Sequence, residues 1–327
     1  MLSFIVPASV RKAKFQLSNS LFLAGPSPER CTFRLCKPWR GGIISRLKVK
    51  VRFAKYHGAG NDFILIDDRQ NRLRLSPRQI AAWCDRHRGI GADGLILVRL
   101  PQNAEANLAW DFYNSDGGQA EMCGNGARCL ARFARDRLGV SQDFTLETVA
   151  GLVRIRLEED DQIAVQLTSP TDLRLRIQLP SRFGLMEVHH LNTGVPHTVL
   201  FVGDVDRVDV VGLGREIRYH QLFAPAGTNV NFVQHIGPNT IRVRTYERGV
   251  EGETLACGTG VTASALIASK VLGFQSPVRV RVQSGDELAV RFVPDQDGWK
   301  EVELIGPAVH VFDGEVEIEE KGEGYEQ

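Results

Sequence analysis

The sequence predicts an α+β fold, rich in sheet and built as two related halves. Short apolar runs with strand-like alternation, separated by Gly, Pro, Asn and Asp turns, recur from Lys48 to the end. One long helical segment stands out in each half, and the two segments begin alike, "CGNG" at 123–126 and "CGTG" at 257–260. The two cysteines are 134 residues apart, with Tyr113-Asn114 ahead of one and Tyr246-Glu247 ahead of the other, which points to an ancient duplication.

In the first half, "KVKVRFAKYH" alternates like a strand and "NDFILIDD" reads as a buried one. "SPRQIAAWCDRHRG" reads as a helix with a Ser N-cap, Pro at its first position and a terminal Gly, and "GLILVRL" follows as a strand. "WDFYNSDGG" is a strand running into a turn. "CGNGARCLARFARDRLG" then places Ala127, Leu130, Ala131 and Ala134 on one helical face and stops at Gly139. "DFTLETVAG", "LVRIRLEE" and "QIAVQLTS" complete the half as strands, and Pro170 marks the boundary.

The second half repeats the plan. "FGLMEVHHLNTGVPHTVLFV" supplies strands, "GLGREIRYH" a helix, "GTNVNFVQHI" and "TIRVRTYERG" strands, and "CGTGVTASALIASKVLG" a helix closed by Gly273. "PVRVRVQSG", "LAVRFVP", "EVELIG" and "VHVFDGEVEIEE" are the last strands. The expected domains are therefore a half over 48–168, a half over 169–307, and strands over 308–320 that return to the first half.

The 327 residues, 43% hydrophobic and 24% charged, belong to the ordinary globular range, and no run approaches the roughly 20 apolar residues a membrane helix needs. Net charge is +1, but residues 1–50 carry +9 and the remainder −8. The body offers no field that would draw in nucleic acid. Residues 1–47 read as an appended basic tail: a disordered extension, an organellar transit peptide, or upstream codons that are not truly coding. The six cysteines form no dense framework and no secretory signal opens the chain, so a reducing compartment is expected.

Each "CG-polar-G" cysteine stands directly before a helix. The partial positive charge and unpaired N–H groups there stabilise an anion, lowering a thiol pKa or holding a carboxylate. Cys84 and Cys129 read as packing residues, whereas the repeated context of Cys123 and Cys257 speaks for function. Neither motif has the C-x-x-C of a zinc or dithiol site, and "GAGND" and "GNGAR" complete no nucleotide-binding loop. Two thiols facing one anionic ligand suit inversion of a stereocentre beside a carboxylate, with a base on one face and an acid on the other. A disulfide between the two cysteines remains an alternative.

The blocks "FAKYHGAGNDFILID", "RHRGIGADGLILV", "FYNSDGGQAEMCGNGARCLARF", "GVPHTV", "GTNVNFV" and "YERGVEGETLACGTG" occur in the order found in diaminopimelate epimerases, and the resemblance covers about residues 50–320. It implies two pseudo-symmetric halves, each a curved, barrel-like sheet of mixed or antiparallel strands around a central helix, with the active site in the cleft between them. It also implies cofactor-independent epimerisation of LL- and meso-diaminopimelate, feeding lysine and peptidoglycan synthesis, by a cytoplasmic homodimer with no metal.

By the same resemblance Cys123 and Cys257 are the acid/base pair, supported by His197 and Glu247. Gly124, Asn125, Gly258 and Thr259 bind the reacting carboxylate, and Asn61, Asn114, Asn229, Glu247 and Arg248 hold the distal amino-acid group. Proline racemases and hydroxyproline epimerases are similar but usually carry His in place of Asn125 and lack "YERG". A non-catalytic amino-acid-binding or redox-responsive protein is the alternative from another class. Three positions depart from the commonest pattern: Gly94, where some members have Gln; Val195, where many have Asn; and Phe312, where many have Tyr at the dimer contact.

Overall fold

The structure, a computed structural model, describes residues 47–296 and 298–320. The expected tail lies outside the described residues except for Leu47. The first half runs β1 (Leu47–Gly58), β2 (Asn61–Asp67), α1 (Pro77–Cys84), β3 (Gly94–Arg99), β4 (Leu108–Asn114), α2 (Gly124–Leu138), β5 (Phe144–Thr148), β6 (Gly151–Leu157) and β7 (Gln162–Gln166). It is followed by β8 (Thr171–Ser181), β9 (Gly184–Asn192), β10 (Pro196–Phe201), α3 (Val210–Arg218), β11 (Asn229–Gly237) and β12 (Thr240–Glu247). The chain ends with β13 (Gly252–Thr254), α4 (Gly258–Val271), β14 (Val278–Arg281), β15 (Glu287–Pro294), β16 (Trp299–Pro307) and β17 (Val309–Glu320).

The strand pairings make the internal repeat explicit. From β1 to β7 the successive senses are antiparallel, parallel, antiparallel, parallel, antiparallel, antiparallel. From β9 through β10, β11, β12, β14 and β15 to β16 the same order recurs. A parallel pair needs a crossover connection, and a helix occupies each one: α1 and α3 in the first crossovers, α2 and α4 in the second.

Each repeat also sends its last strand to the other. After β7 the chain crosses to pair β8 with β9, and after β16 it crosses back to pair β17 with β1, from Leu47↔Glu320 to His57↔Val309. The antiparallel β7–β16 pair makes the ladder continuous across both halves. The fold is thus a mixed sheet with few helices, curved but not closed, because the outer edge of β7 is taken by β16 and not by β1.

The curvature is visible in what each central helix touches. α2 packs against β1, β2, β3, β6 and β7, and α4 against β9 to β12, β14, β15 and β16. Around α2, Leu130 and Phe133 meet Ile96, Trp110 and Ile155; around α4, Leu266 and Ile267 meet Val280, Val290 and Leu304. α4 is buried from Gly260 to Ala268, so its hydroxyls turn inward to its own backbone: Thr262 Oγ1 donates to Gly258 O at 2.9 Å and Ser264 Oγ to Gly260 O at 2.7 Å. Smaller cores form where Leu213 and Ile217 of α3 meet Phe232 and Tyr246, and where Ile80 and Cys84 of α1 meet Ile64 and Leu95.

One element is shorter than the sequence predicts. α1 begins at the expected Ser76 cap but stops at Cys84, because Asp85 turns extended (φ −61°, ψ 121°). The "DRHRG" stretch folds back instead. Ile90 and Gly91 donate their N–H groups to Trp83 O, satisfying a carbonyl that the helix end leaves free. Gly89 lies so close to the last turn that a Cβ there would be 2.2 Å from Ala82 O.

Gly214 on α3 sits against Tyr246, where an added Cβ would fall 2.5 Å from the Tyr246 Cβ. Gly214→Ala is therefore expected to destabilise the protein by about 1–3 kcal/mol through overpacking, read as a lower urea midpoint with unchanged slope.

Candidate functional site

At the start of α2, Cys123 is the N-cap in extended conformation (φ −147°, ψ 118°), and its Sγ accepts from Gly126 N–H at 3.4 Å. A cysteine occupies the place where Ser or Asp would ordinarily cap, so its sulfur lies among the free N–H groups of the first turn. Sγ is also 3.8 Å from Asn61 Oδ1 at the start of β2. The buried Asn125 donates to the same Asn61 Oδ1 at 3.1 Å and to Ala256 O at 3.3 Å, immediately before the second cysteine.

Cys257 is the N-cap of α4 without a side-chain bond to the helix backbone; its Sγ is 3.5 Å from Thr259 Oγ1. The Thr259 carbonyl accepts from Thr193 Oγ1 at 2.9 Å. The two helix starts meet over one side chain. A Cβ on Gly124 would lie 3.2 Å from Leu304 Cδ2, and a Cβ on Gly258 2.9 Å from the same atom. Glycine at both positions is what lets the first turns close on Leu304.

His197 on β10 is completely buried, with Nδ1 3.2 Å from Asn231 Nδ2 and Nε2 unpartnered among the described residues. It stands behind the first turn of α4, where a Cβ on Gly260 would meet its Cε1 at 3.3 Å. Burial, assisted by the charges of His190 and Arg248, pulls its pKa down to about 3, so the ring is neutral at ordinary pH. Burial likewise raises both thiols. The Gly126 and Asn125 N–H groups and then Arg128 counteract this at Cys123; the charge of Glu247 adds to it at both sulfurs, and at Cys257 is the largest cause after burial.

Glu247 ends β12 and acts electrostatically on both sulfurs; burial holds its own carboxyl above the usual range. Asn229 lies at the matching end of β11. Its amide donates to Pro196 O at 3.0 Å and accepts from the Arg248 N–H at 2.8 Å, which ties the Arg248 turn to β10. Arg248 itself donates to Ala226 O at 3.1 Å. Asn114 closes β4 with an exposed side chain, opposite Gly94 of β3.

Asn61, Cys123 and Asn125 thus form one contact group, Cys257 and Thr259 a second joined to it through Ala256, and Asn229 and Arg248 a third. Gly94 leaves no room for a side chain on this backbone, since a Cβ would lie 2.6 Å from Tyr113 O. Phe312 packs edge-on against Phe53 at 5.9 Å. Cys84 and Cys129 are buried packing residues. Among the described residues no cluster of three His, Cys, Asp or Glu side chains could hold a metal ion. Sequence reasoning passed over Arg128, Asp93 and Leu304. For Arg128 the signal was an arginine set among the apolar positions Ala127, Leu130 and Ala131 of α2.

The family described as Diaminopimelate epimerase matches residues 53–172 and 190–311. A diaminopimelate epimerase of Aquifex aeolicus (strain VF5) is 45% identical over 282 residues, 82% of this chain and 99% of the relative. One from Methanocella arvoryzae is 40% identical over 285 residues, 83% and 98% respectively. Among solved structures, a PhzF-family phenazine biosynthesis protein of Bacillus anthracis superposes with a TM-score of 0.65 at 15% identity, covering 82% of this chain and 99% of its own. A hydroxyproline epimerase from Agrobacterium vitis with bound trans-4-hydroxy-L-proline gives 0.63 at 15%, covering 84% and 95%. At that identity the two structures show a shared fold alone.

The buried histidines carry a pH signature. His190, stacked on Phe223, is pulled down to about 4 by burial, and His197 to about 3. The unfolded chain takes up protons on both near pH 6.5 while the native state refuses them, so stability falls as pH drops from about 6.5 towards 4. Urea midpoints across that window should decline, and less steeply in His190→Gln.

Proposed function

We propose that this chain, which belongs to the diaminopimelate epimerase family, interconverts LL- and meso-diaminopimelate by passing one α-proton between two thiols. The observation that carries the proposal is the meeting of two helix starts over Leu304, each capped by a cysteine. The reacting carboxylate would sit between them, held by the N–H groups at Gly124, Asn125, Gly258 and Thr259, where helix ends favour negative charge. One cysteine waits as thiolate on one face of the α-carbon and takes its proton. The other, a thiol on the opposite face, returns a proton to the carbanion. Configuration is inverted, each sulfur ends in the other's starting state, and no atoms are gained or lost.

A carbanion beside a carboxylate needs stabilisation as its charge grows. The preorganised N–H donors and the dry, apolar surround of Leu304 supply it without pyridoxal phosphate or metal. His197, held neutral, and Glu247, coupled electrostatically to both sulfurs, tune their protonation. The distal ammonium and carboxylate of the substrate fall to Glu247, Arg248, Asn61 and the exposed Asn114, while Asn229 acts through the Arg248 turn. Asn125, where proline racemases usually carry His, favours this substrate over proline, and its amide links both thiol segments.

We further propose two halves closing on a cleft, and a homodimer whose contact includes the exposed Val309, Val311 and Phe312 of β17. Among the described residues no helix is long and apolar enough to cross a membrane. Free thiols at Cys123 and Cys257 suit the reducing cytoplasm proposed for the protein.

Incubated with LL-diaminopimelate in deuterated water, the protein should incorporate deuterium at the α-carbon and yield the meso isomer without added cofactor. Cys123→Ser and Cys257→Ser should each lower turnover by about 10²–10⁴-fold. Turnover of proline in place of diaminopimelate, or equal turnover in both variants and the reduced wild type, would overturn the assignment.

A further inference from the structure

Arg128 lies on α2 one turn beyond Cys123, and its side chain is completely buried. Space for the guanidinium is built by glycines: a Cβ on Gly58 would come within 3.2 Å of Nη2 and one on Gly306 within 3.3 Å of Nε. Nη2 donates to Asn125 Oδ1 at 2.9 Å and Nε to Pro307 O at 3.3 Å, while Nη1 is buried with no hydrogen-bond partner. Among the described residues no carboxylate forms an ion pair with it. Burying an arginine without a carboxylate is costly, so the protein retains an uncompensated positive charge directly behind the first thiol motif.

The same guanidinium starts a chain of hydrogen bonds with a defined direction. Arg128 is donor-only, so Asn125 must present Oδ1 to it and turn Nδ2 towards Asn61 Oδ1 at 3.1 Å. At the other end Asn61 Nδ2 donates to Asp93 Oδ2 at 2.8 Å, and Asp93 is held by Arg86 at 2.7 Å. With a fixed donor at one end and a fixed acceptor at the other, neither amide can flip without losing a charged partner. Asn61 Oδ1 is thereby aimed at Cys123 Sγ, and Asn125 Nδ2 at Ala256 O beside Cys257.

Among the described residues the second half has no such device. The position in α4 that corresponds to Arg128, 134 residues on, is Thr262, whose hydroxyl is spent on Gly258 O. We propose that Arg128 is a positioning residue for the proton transfer: it orients the Asn125 and Asn61 amides and supplies the buried positive charge against which the Cys123 anion forms. Asn61 Oδ1 then accepts from the thiol form of Cys123, while Gly126 N–H and the Arg128 charge favour the thiolate. A sulfur that alternates between acid and base requires both. This inference rests on the two-thiol chemistry proposed above.

The titratable groups that face this pair are Cys129 on α2, Asp286 in the turn before β15, Glu247 at the end of β12, and Asp62 of β2 beyond Cys129. The test follows iodoacetamide alkylation of Cys123 in the full-length protein against pH, by peptide mass spectrometry, together with kcat and KM for diaminopimelate. Arg128→Met should slow alkylation at pH 7 about tenfold, as for a rise of about one pKa unit, and move the acid limb of kcat/KM to higher pH. Arg128→Lys should keep the pH midpoint but lose kcat, since an ammonium cannot reproduce the fork to Asn125 and Pro307. The kcat losses of Arg128→Met and Asn125→Ala should be less than additive in the double variant, as for residues acting in one hydrogen-bond network.

Wild-type alkylation and wild-type kcat in a folded Arg128→Met protein would overturn the proposal. If that variant fails to fold, wild-type kcat in Arg128→Lys would do so. A wild-type protein inert to diaminopimelate would defeat the functional assignment instead, and the alkylation profile would still report on Arg128.

Discussion

The structure depends on one constraint: two helix N-termini must be held close together, although their partial positive charges repel. The protein meets it by threading α2 and α4 through the concave sides of a continuous curved sheet and pressing both first turns onto Leu304. Glycine at 124 and 258 sets the distance. Cysteine rather than Ser or Asp as the cap leaves each helix end incompletely satisfied, ready for an anion from outside.

The electrostatics follow from that enclosure. Burial alone works against a thiolate, and it raises both cysteines. What offsets it differs between the two sites: at Cys123 the Gly126 and Asn125 N–H groups and the charge of Arg128, at Cys257 the Thr259 hydroxyl and the Gly260 N–H, while the acid Glu247 adds to the rise at both. The duplication therefore produced equivalent backbones around inequivalent sulfurs.

Exchange of terminal strands explains how two similar halves stay fixed. β8 completes the ladder beside β9, β17 completes that beside β1, and β7–β16 joins them. Neither half can open fully without disturbing pairing in the other. The solved structures of 15% identity share the fold although most side chains differ.

By itself the sequence determined the elements, the duplication and the two cysteines, because these rest on local periodicity, on Gly and Ser caps such as Gly139 and Ser76, and on a motif repeated in full. It left β8 unmarked, although Leu173, Leu175, Ile177 and Leu179 alternate with polar residues there as in a strand, and it overran α1, whose end is decided by a loop folding back onto Trp83 O. Only the tertiary structure decided that Asn229 holds the Arg248 turn, that Gly94 has no room for a side chain, and that Arg128 is buried behind Cys123. Those outcomes depend on which groups meet across long stretches of chain, as Arg128 meets Pro307, and no local pattern of residues encodes such meetings.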